Sequence, residues 1–328
     1  MVRPLVDSFG RQVLDLRVSV TDRCNFRCRY CMPEEDMHWL PRQEILTFEE
    51  IERVAHIFVD HFGLTSLRLT GGEPTARAHL PELVRRLAAL PVELSITTNG
   101  STLGRLAGPL AAAGLHRATV SLDSLRRDRF AEITGRDALA QVLEGIDAAV
   151  SAGLAPVKVN AVMVRGFNDD EVVDLARFGR ERGVEVRFIE FMPLDGAGEW
   201  SAERVVPARE VLERLSAVFP LVPFEQRGPQ PAERFRYLDG AGTVGVVASV
   251  TRPFCEACDR ARLTAEGALR SCLFSVRERD LRALLRGGAQ DDEIAQAIED
   301  EVASKWAGHA IGRVSFVRPA RSMSQIGG

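Results

Sequence analysis

The six cysteines of this 328-residue chain fall into two groups of three. Cys24, Cys28 and Cys31 stand in TDRCNFRCRYC with the spacing C-x3-C-x2-C, and Cys255 and Cys258 form a C-x2-C pair with Cys272 beyond it. Cysteines clustered this closely bind metal or carry out redox chemistry in a reducing compartment, whereas disulfide frameworks belong to secreted chains. Neither trio has a fourth cysteine. A structural zinc site uses four ligands, and a catalytic one uses three plus water, typically with histidine or carboxylate. A cubane of four irons held by three thiolates keeps one iron open for a small molecule. Spacing alone leaves a zinc knuckle and a cluster both open.

Further candidates lie at the ends of apolar runs. In LRLTGGEP, Leu67 to Pro74, adjacent glycines let the backbone approach a ligand, and Glu73 offers a carboxylate to an amine; a tight turn before a helix reads from the same string. ITTNG (96–100) and VSLDS (120–124) likewise close with hydroxyls and amides. After the second cysteine pair comes Asp259-Arg260-Ala261-Arg262, where a β conformation puts both arginines on one face, as forks for phosphate or purine oxygens. GAGTVG (240–245) matches a dinucleotide fingerprint in letters, but the β-branched VVASVTRP follows where a helix is required, so it reads as a hairpin turn. No P-loop string is present.

These residues need a scaffold. Strands are expected near 14–20, 66–70, 92–98, 117–122, 155–162 and 184–191, separated by helical patterns such as TFEEIERVAHIFVDHF, which opens on a Thr47/Glu50 capping box. Six β-α units imply parallel pairing with right-handed crossovers. The strands alternate rather than run continuously apolar. One face carries Leu16, Val18, Leu67, Leu69, Leu94, Ile96, Val120 and Leu122; the other carries Arg17, Ser19, Arg68, Thr70, Ser95, Thr97, Ser121, Asp123, Lys158, Asn160 and Arg187. A closed eight-stranded barrel fills its interior with Val, Ile and Leu, so a polar inner face points to an α/β fold with an incomplete (β/α)6 TIM-like barrel around a polar ligand. Alternation by itself also fits a sheet with one solvated face. Four cations on that face, Arg17, Arg68, Lys158 and Arg187, call for an anion. After FMPLDGAGEW the texture changes, which divides the chain into residues 1–195 and a C-terminal region, 196–328, expected to bind the second metal group and close the barrel.

The composition is that of a globular protein, with 45% hydrophobic and 27% charged residues. A net charge of −4 gives no support to a general nucleic-acid or membrane binder, no apolar run reaches membrane-spanning length, and the first residues lack a secretory pattern, so a cytoplasmic location is expected. Of 42 basic residues only two, Lys158 and Lys305, are lysines.

C-x3-C-x2-C followed by GGEP resembles the radical S-adenosylmethionine superfamily. TDRCNFRCRYCMP, LTGGEPTAR, TTNG, SLDSL, RFIEFMPL and RPFCEACDRARLTAEG are similar to the GTP 3',8-cyclase family (molybdenum cofactor biosynthesis protein A), over nearly the whole chain. The resemblance implies two [4Fe-4S] clusters and S-adenosylmethionine as cofactors. Cys24, Cys28 and Cys31 would hold the first cluster, whose open iron binds S-adenosylmethionine; Cys255, Cys258 and Cys272 would hold the second, whose open iron binds guanine. It implies cleavage of S-adenosylmethionine to a 5'-deoxyadenosyl radical, removal of the 3' hydrogen of GTP, and cyclisation to (8S)-3',8-cyclo-7,8-dihydroguanosine 5'-triphosphate, the first step of molybdenum cofactor biosynthesis. Tyr30, Gly72, Glu73, Ser121 and Met192 match positions that contact S-adenosylmethionine. Arg17, Arg68, Thr97, Lys158, Arg260, Ala261 and Arg262 match GTP contacts. Arg17, Lys158 and Arg187, with the terminal Gly327-Gly328, match positions tied to catalysis. An external one-electron donor, cyclic pyranopterin monophosphate synthase as product acceptor, and a homodimer are the partners the family implies. Ala78 and His79, after Arg77, depart from the family's usual basic and acidic pair.

Overall fold

Strands β1 (Asp15–Ser19), β2 (Ser66–Thr70), β3 (Glu93–Thr98), β4 (Arg117–Ser121), β5 (Lys158–Met163) and β6 (Glu185–Glu190) pair in sequence order, all parallel, in a computed structural model. The structure describes residues 2–32, 39–194, 198–224, 227–311, 316–319 and 321–327. Asp195, Gly196 and Gly328 therefore lie outside the described residues, and with them the expected domain division and the last residue of the tail. The crossovers are α1 (Phe48–Phe62), α2 (Leu80–Leu87), α3 (Leu103–Ala112), α4 (Arg127–Thr134) with α5 (Leu139–Ser151), and α6 (Val172–Arg182).

Local sequence explains these elements. Helix α1 starts at the Thr47/Glu50 capping box, buries Ile51, Val54, Ala55 and Phe58 on one stripe, and stops where Gly63 takes φ 69°. Leu16, Val18, Leu67, Leu69, Leu94, Ile96, Val120 and Val159 point outward from the sheet into one continuous apolar core beneath the helices. The opposite face is not a solvated surface. Ser19 and Thr70 are 1% exposed, Ser95 3% and Arg187 6%.

The C-terminal region adds α7 (Ala208–Ser216), β7 (Leu221–Pro223), β8 (Glu233–Tyr237), β9 (Thr243–Val247), β10 (Arg260–Leu263), β11 (Ala268–Arg270), β12 (Arg279–Asp280), α8 (Leu281–Arg286), α9 (Asp291–Ala303) and α10 (Met323–Ile326). Alternation did not foretell that β9 lies parallel beside β6 and β10 parallel beside β1, which lengthens the parallel run to the eight strands β10-β1-β2-β3-β4-β5-β6-β9. Antiparallel β11–β12 and β8–β7 finish the two ends, which do not pair with each other among the described residues, so the barrel stays incomplete and the C-terminal region lengthens it instead of closing it as expected, because its outer strands turn antiparallel. GAGTVG forms the β8–β9 hairpin connection, with Gly240 at φ 80° and Gly242 at φ 100°.

Candidate active site

Four strand-end loops are bonded into one unit at the C-terminal edge of the sheet, where β/α barrels carry their chemistry. The N–H groups of Gly72 and Glu73 donate to the carbonyls of Thr21 (2.8 Å) and Arg23 (2.8 Å). A Cβ on Gly72 would strike the carbonyls of Asp22 and Arg23, so only glycine lets these loops meet. The Glu73 carboxylate is buried and fully engaged: Thr75 Oγ1 (2.5 Å), Thr75 N–H (3.0 Å) and Thr98 Oγ1 (2.6 Å) donate to Oε1, and Asn99 N–H (2.7 Å) donates to Oε2. Asn99 Nδ2 turns to Asn25 Oδ1 (2.8 Å) and Cys24 Sγ (3.9 Å). Tyr30 Oη donates to Asp123 Oδ2 (2.6 Å), whose other oxygen accepts from Val162 N–H (2.7 Å). Beyond this unit, Arg77 donates to the carbonyls of Val20 (3.2 Å) and Leu46 (2.9 Å), and His79 opens α2 at φ 60°.

Within this frame the first cysteine trio is half-buried and mutually coupled. Burial pushes the Cys28 thiol well up, and the nearby Cys31, Asp123 and Cys24 add to it. Burial likewise raises Cys31 to about 12 and Cys24 to about 11. The Ser324 hydroxyl and N–H, on α10, lie beside Cys31 and oppose this rise, which brings the C-terminal tail to the first trio. Burial lifts Asp123 to about 6 against the pull of Tyr30 and Val162.

The second trio sits at the opposite end of the same strands. Cys24 to Cys31 follow the last residue of β1, whereas Cys255 and Cys258 precede the first residue of β10, and the two strands run parallel with Asp15 opposite Arg260. Burial, Cys272 and Cys258 raise Cys255. Cys258 is half-buried too, and although burial opposes its ionisation, Arg260 and Lys305 draw it down to about 7.

Between the two trios the inner face forms a lateral row. Arg262, Arg17, Arg68, Ser95 and Arg117 are successive register partners across β10, β1, β2, β3 and β4. A second row runs Thr97, Thr119, Lys158 and Glu185, and a third Ser121, Asn160 and Arg187. Burial, then Arg262 and Arg68, hold Arg17 well below its usual value. Burial and Arg187 bring Lys158 down to about 7, with Arg117 and Arg68 adding to the effect. Glu185 is the counter-charge: burial opposes its ionisation, but Arg187, Arg234 and Lys158 hold it at about 2, and Arg187 Nε donates to it at 2.6 Å. Many polar atoms here are buried without a hydrogen-bond partner, among them Arg17 Nε, Arg68 Nε, Arg187 Nη2, Arg260 Nη2, Ser19 Oγ, Thr70 Oγ1 and Asn160 Oδ1. Such a set marks an inner face whose donors suit a polar, anionic ligand. The tail reaches this face too: Arg262 donates to the Gly327 carbonyl, and a Cβ on Gly327 would collide with Ser19 Oγ and Thr70 Oγ1.

Comparison with known proteins agrees with this architecture. Residues 18–179 match the model of the radical SAM superfamily and 184–311 that of Molybdenum Cofactor Synthesis C. GTP 3',8-cyclase 2 of Mycobacterium tuberculosis is 52% identical over 332 residues, covering 99% of this chain and 92% of that protein. GTP 3',8-cyclase of Streptomyces coelicolor is 51% identical over 328 residues, covering 99% and 96%. The chain belongs to the GTP 3',8-cyclase family. In fold it is similar to Streptococcus suis SuiB bound to S-adenosylmethionine, with a TM-score of 0.62 at 15% identity over 90% of this chain and 69% of that one.

Radical SAM membership implies a [4Fe-4S] cluster and S-adenosylmethionine, and the residues present fit that requirement. Among the described residues no three His, Cys, Asp or Glu side chains converge on a single ion. The trios instead offer three free thiols each, as a cubane with one open iron uses. Burial keeps the first three protonated until a metal displaces the protons. Of the other family-matched positions, Ala261 has its side chain in the apolar core opposite Leu16, so it faces a ligand only through its main chain. Met192 packs with Leu194, Phe274 and Ile326 under the tail. Sequence reasoning named neither Arg117 nor Glu185 on the inner face, although the same two-residue alternation extends to both.

Proposed function

We propose that this chain catalyses radical cyclisation of GTP to (8S)-3',8-cyclo-7,8-dihydroguanosine 5'-triphosphate, the first step of molybdenum cofactor biosynthesis. One observation carries the reading: a row of adjacent arginines, with Arg17 Nε and Arg68 Nε buried and without a hydrogen-bond partner, lies between two cysteine trios at opposite ends of the β1–β10 pair. Cys24, Cys28 and Cys31 hold the cluster that takes S-adenosylmethionine, with Tyr30, Gly72, Glu73, Ser121 and Met192 around it. Cys255, Cys258 and Cys272 hold the second. When bound, these groups supply a carbon-centred radical from S-adenosylmethionine and an open iron for the guanine. The protein's own work is positioning and charge. Arg260 and Arg262, beside the second trio, hold the purine end, with the main chain of Ala261 between them. Arg17, Arg68, Thr97, Lys158 and Arg187 hold the ribose and triphosphate so that the sugar faces the first trio. Gly327, with Gly328 beyond it, closes the cavity against water.

Residues 1–195 act as the partial β/α barrel, and 196–328 bind the second cluster and extend the parallel run with β9 and β10. No helix among the described residues is long and apolar enough to cross a membrane. By the family resemblance the enzyme works in the cytoplasm as a homodimer, takes its electron from an external one-electron donor, and passes its product to cyclic pyranopterin monophosphate synthase. Neither nucleic acid nor membrane is a partner.

Anaerobic reconstitution with iron and sulfide, then incubation with GTP, S-adenosylmethionine and a reductant, tests the reading. 5'-Deoxyadenosine and a cyclised GTP product are expected in equal amounts. A fully loaded protein that forms neither is not this enzyme.

A further inference from the structure

Of the two lysines in a chain with 42 basic residues, Lys158 belongs to the inner face; Lys305 does not. It follows α9 and is 3% exposed, yet no carboxylate pairs with it among its hydrogen bonds. Its Nζ donates to the carbonyls of Cys258 (3.2 Å) and Arg260 (2.9 Å). A second buried cation approaches the same loop from the other end of the chain. Arg11, 8% exposed, donates from Nη1 to the carbonyls of Cys255 (2.7 Å) and Ala307 (2.8 Å), and from Nη2 to that of Trp306 (2.6 Å). Its Nε donates to Asp7 Oδ2 (2.6 Å), and Asp7 Oδ1 accepts from the N–H groups of Phe9 and Arg11, across the short Val6–Gln12 pairing. Asp7 thus fixes the guanidinium in place before it reaches the cysteine loop.

Both cations donate to main-chain oxygens of the segment that carries two cysteines and a substrate arginine, Lys305 to those of Cys258 and Arg260 and Arg11 to that of Cys255, while the rest of Arg11's donors tie it to Trp306, Ala307 and Asp7. A buried ammonium or guanidinium is stable only where its donors are satisfied, so the 255–260 segment has one low-energy place relative to α9 and the N-terminal hairpin. Arg260, whose carbonyl Lys305 holds, stacks its guanidinium 4.9 Å from the Phe254 ring centroid, so its main chain and head group are fixed separately. Partners outside a metal's ligands that orient those ligands also tune affinity and potential, and cations near a cluster stabilise its more negative, reduced state.

We propose that Arg11 and Lys305 are positioning residues of the second cluster, clamping the carbonyls of Cys255, Cys258 and Arg260 and lending positive charge to that cluster. This rests on the reading that Cys255, Cys258 and Cys272 hold a cluster. The test uses the reconstituted holoenzyme and the variants Lys305→Met, Lys305→Arg and Arg11→Gln. Iron release to a chelator is followed anaerobically, with the spectroscopic signal of each cluster, and the midpoint potential of the second cluster is titrated. Lys305→Met and Arg11→Gln are expected to speed release from the second trio by roughly tenfold or more while the first is unchanged. They should also move the second potential to more negative values, whereas Lys305→Arg should keep most of the wild-type release rate and potential. If Lys305→Met does not fold, Arg11→Gln carries the same two readouts from the opposite side of the loop. Two release phases and a potential unaltered by the variants overturn the proposal. So does equal acceleration of both phases in step with a lowered Tm, which is the signature of general destabilisation. A wild-type protein with a single cluster defeats the underlying reading and the proposal together.

Discussion

Arg17 and Arg262 are direct register partners on the adjacent parallel strands β1 and β10, and Arg68 faces Arg17 from β2 on its other side. Three guanidiniums side by side on a buried face repel one another, and Arg17 Nε and Arg68 Nε have no hydrogen-bond partner. A polyanion removes both penalties at once, which makes the arrangement a binding device rather than a stabilising one. Arg17→Met is therefore expected to separate two properties. The ligand-free protein should unfold at the same or a higher temperature, while GTP affinity falls by roughly 10- to 100-fold, the value of a charged hydrogen bond of about 1.5–3 kcal/mol. Calorimetric titration and thermal unfolding on one preparation, with iron content held at the wild-type level, check this. Lower stability in the ligand-free variant would show that Arg17 is internally paired.

Lys158 makes GTP binding depend on pH. Burial and its neighbours lower it to about 7, so in the free protein its charge is present below pH 7 and lost as pH rises through 7. Bound phosphate oxygens favour the ammonium, so binding above pH 7 must take up a proton. The Kd for GTP should rise by up to about tenfold per pH unit above 7 until the pKa of the complex is reached. At pH 8, calorimetry in buffers of different ionisation enthalpy should report uptake approaching one proton. In Lys158→Met both the slope and the uptake should vanish.

What could be read from sequence depended on how local its cause is. The inner face was legible because a strand repeats every two residues, so Arg17, Arg68, Lys158 and Arg187 could be placed together before any strand pairing was known. The α1 capping box and the GAGTVG hairpin were legible for the same reason. The insertion of β9 beside β6 and β10 beside β1 was not, since strand neighbours far apart in sequence leave no periodic trace. That pairing is what puts the two trios at opposite ends of one polar inner face. Glu73 shows a subtler limit. Its carboxylate reads from sequence as a candidate amine ligand, but its four donors come from Thr75, Thr98 and Asn99, two of them on a different loop. Lys305 stood out by rarity alone; its carbonyl partners lie 47 and 45 residues away.

The tail should govern turnover more than binding. Gly327 adopts φ 76°, its carbonyl accepts from Arg262, and a Cβ there meets Ser19 and Thr70. Gly327→Ala must move this residue away from Ser19 and Thr70, since both the backbone conformation and the space favour glycine. Iron content and GTP affinity should stay within about threefold of wild type, because Arg17, Arg68 and Lys158 remain, whereas product formation should fall by roughly 100-fold from lost positioning. Quantifying 5'-deoxyadenosine against cyclised product in single-turnover reactions checks this. Full activity would place the tail outside the reaction.

Glu73→Gln tests whether the GGEP carboxylate acts chiefly through the frame it builds. Oε1 accepts three hydrogen bonds and Oε2 accepts one from the Asn99 N–H, so either amide orientation sets an NH2 group against existing donors. A donor facing a donor at a site 1% exposed leaves both unsatisfied, at about 1–3 kcal/mol. The lost contacts join the loops after β2 and β3, and Asn99 in turn holds the cysteine loop through Asn25. Denaturant unfolding of the cluster-free variant should show that loss, and the reconstituted variant should release iron from the first trio faster while the second keeps its wild-type rate. Unchanged unfolding with weakened S-adenosylmethionine binding would instead assign the carboxylate to the cofactor's amine.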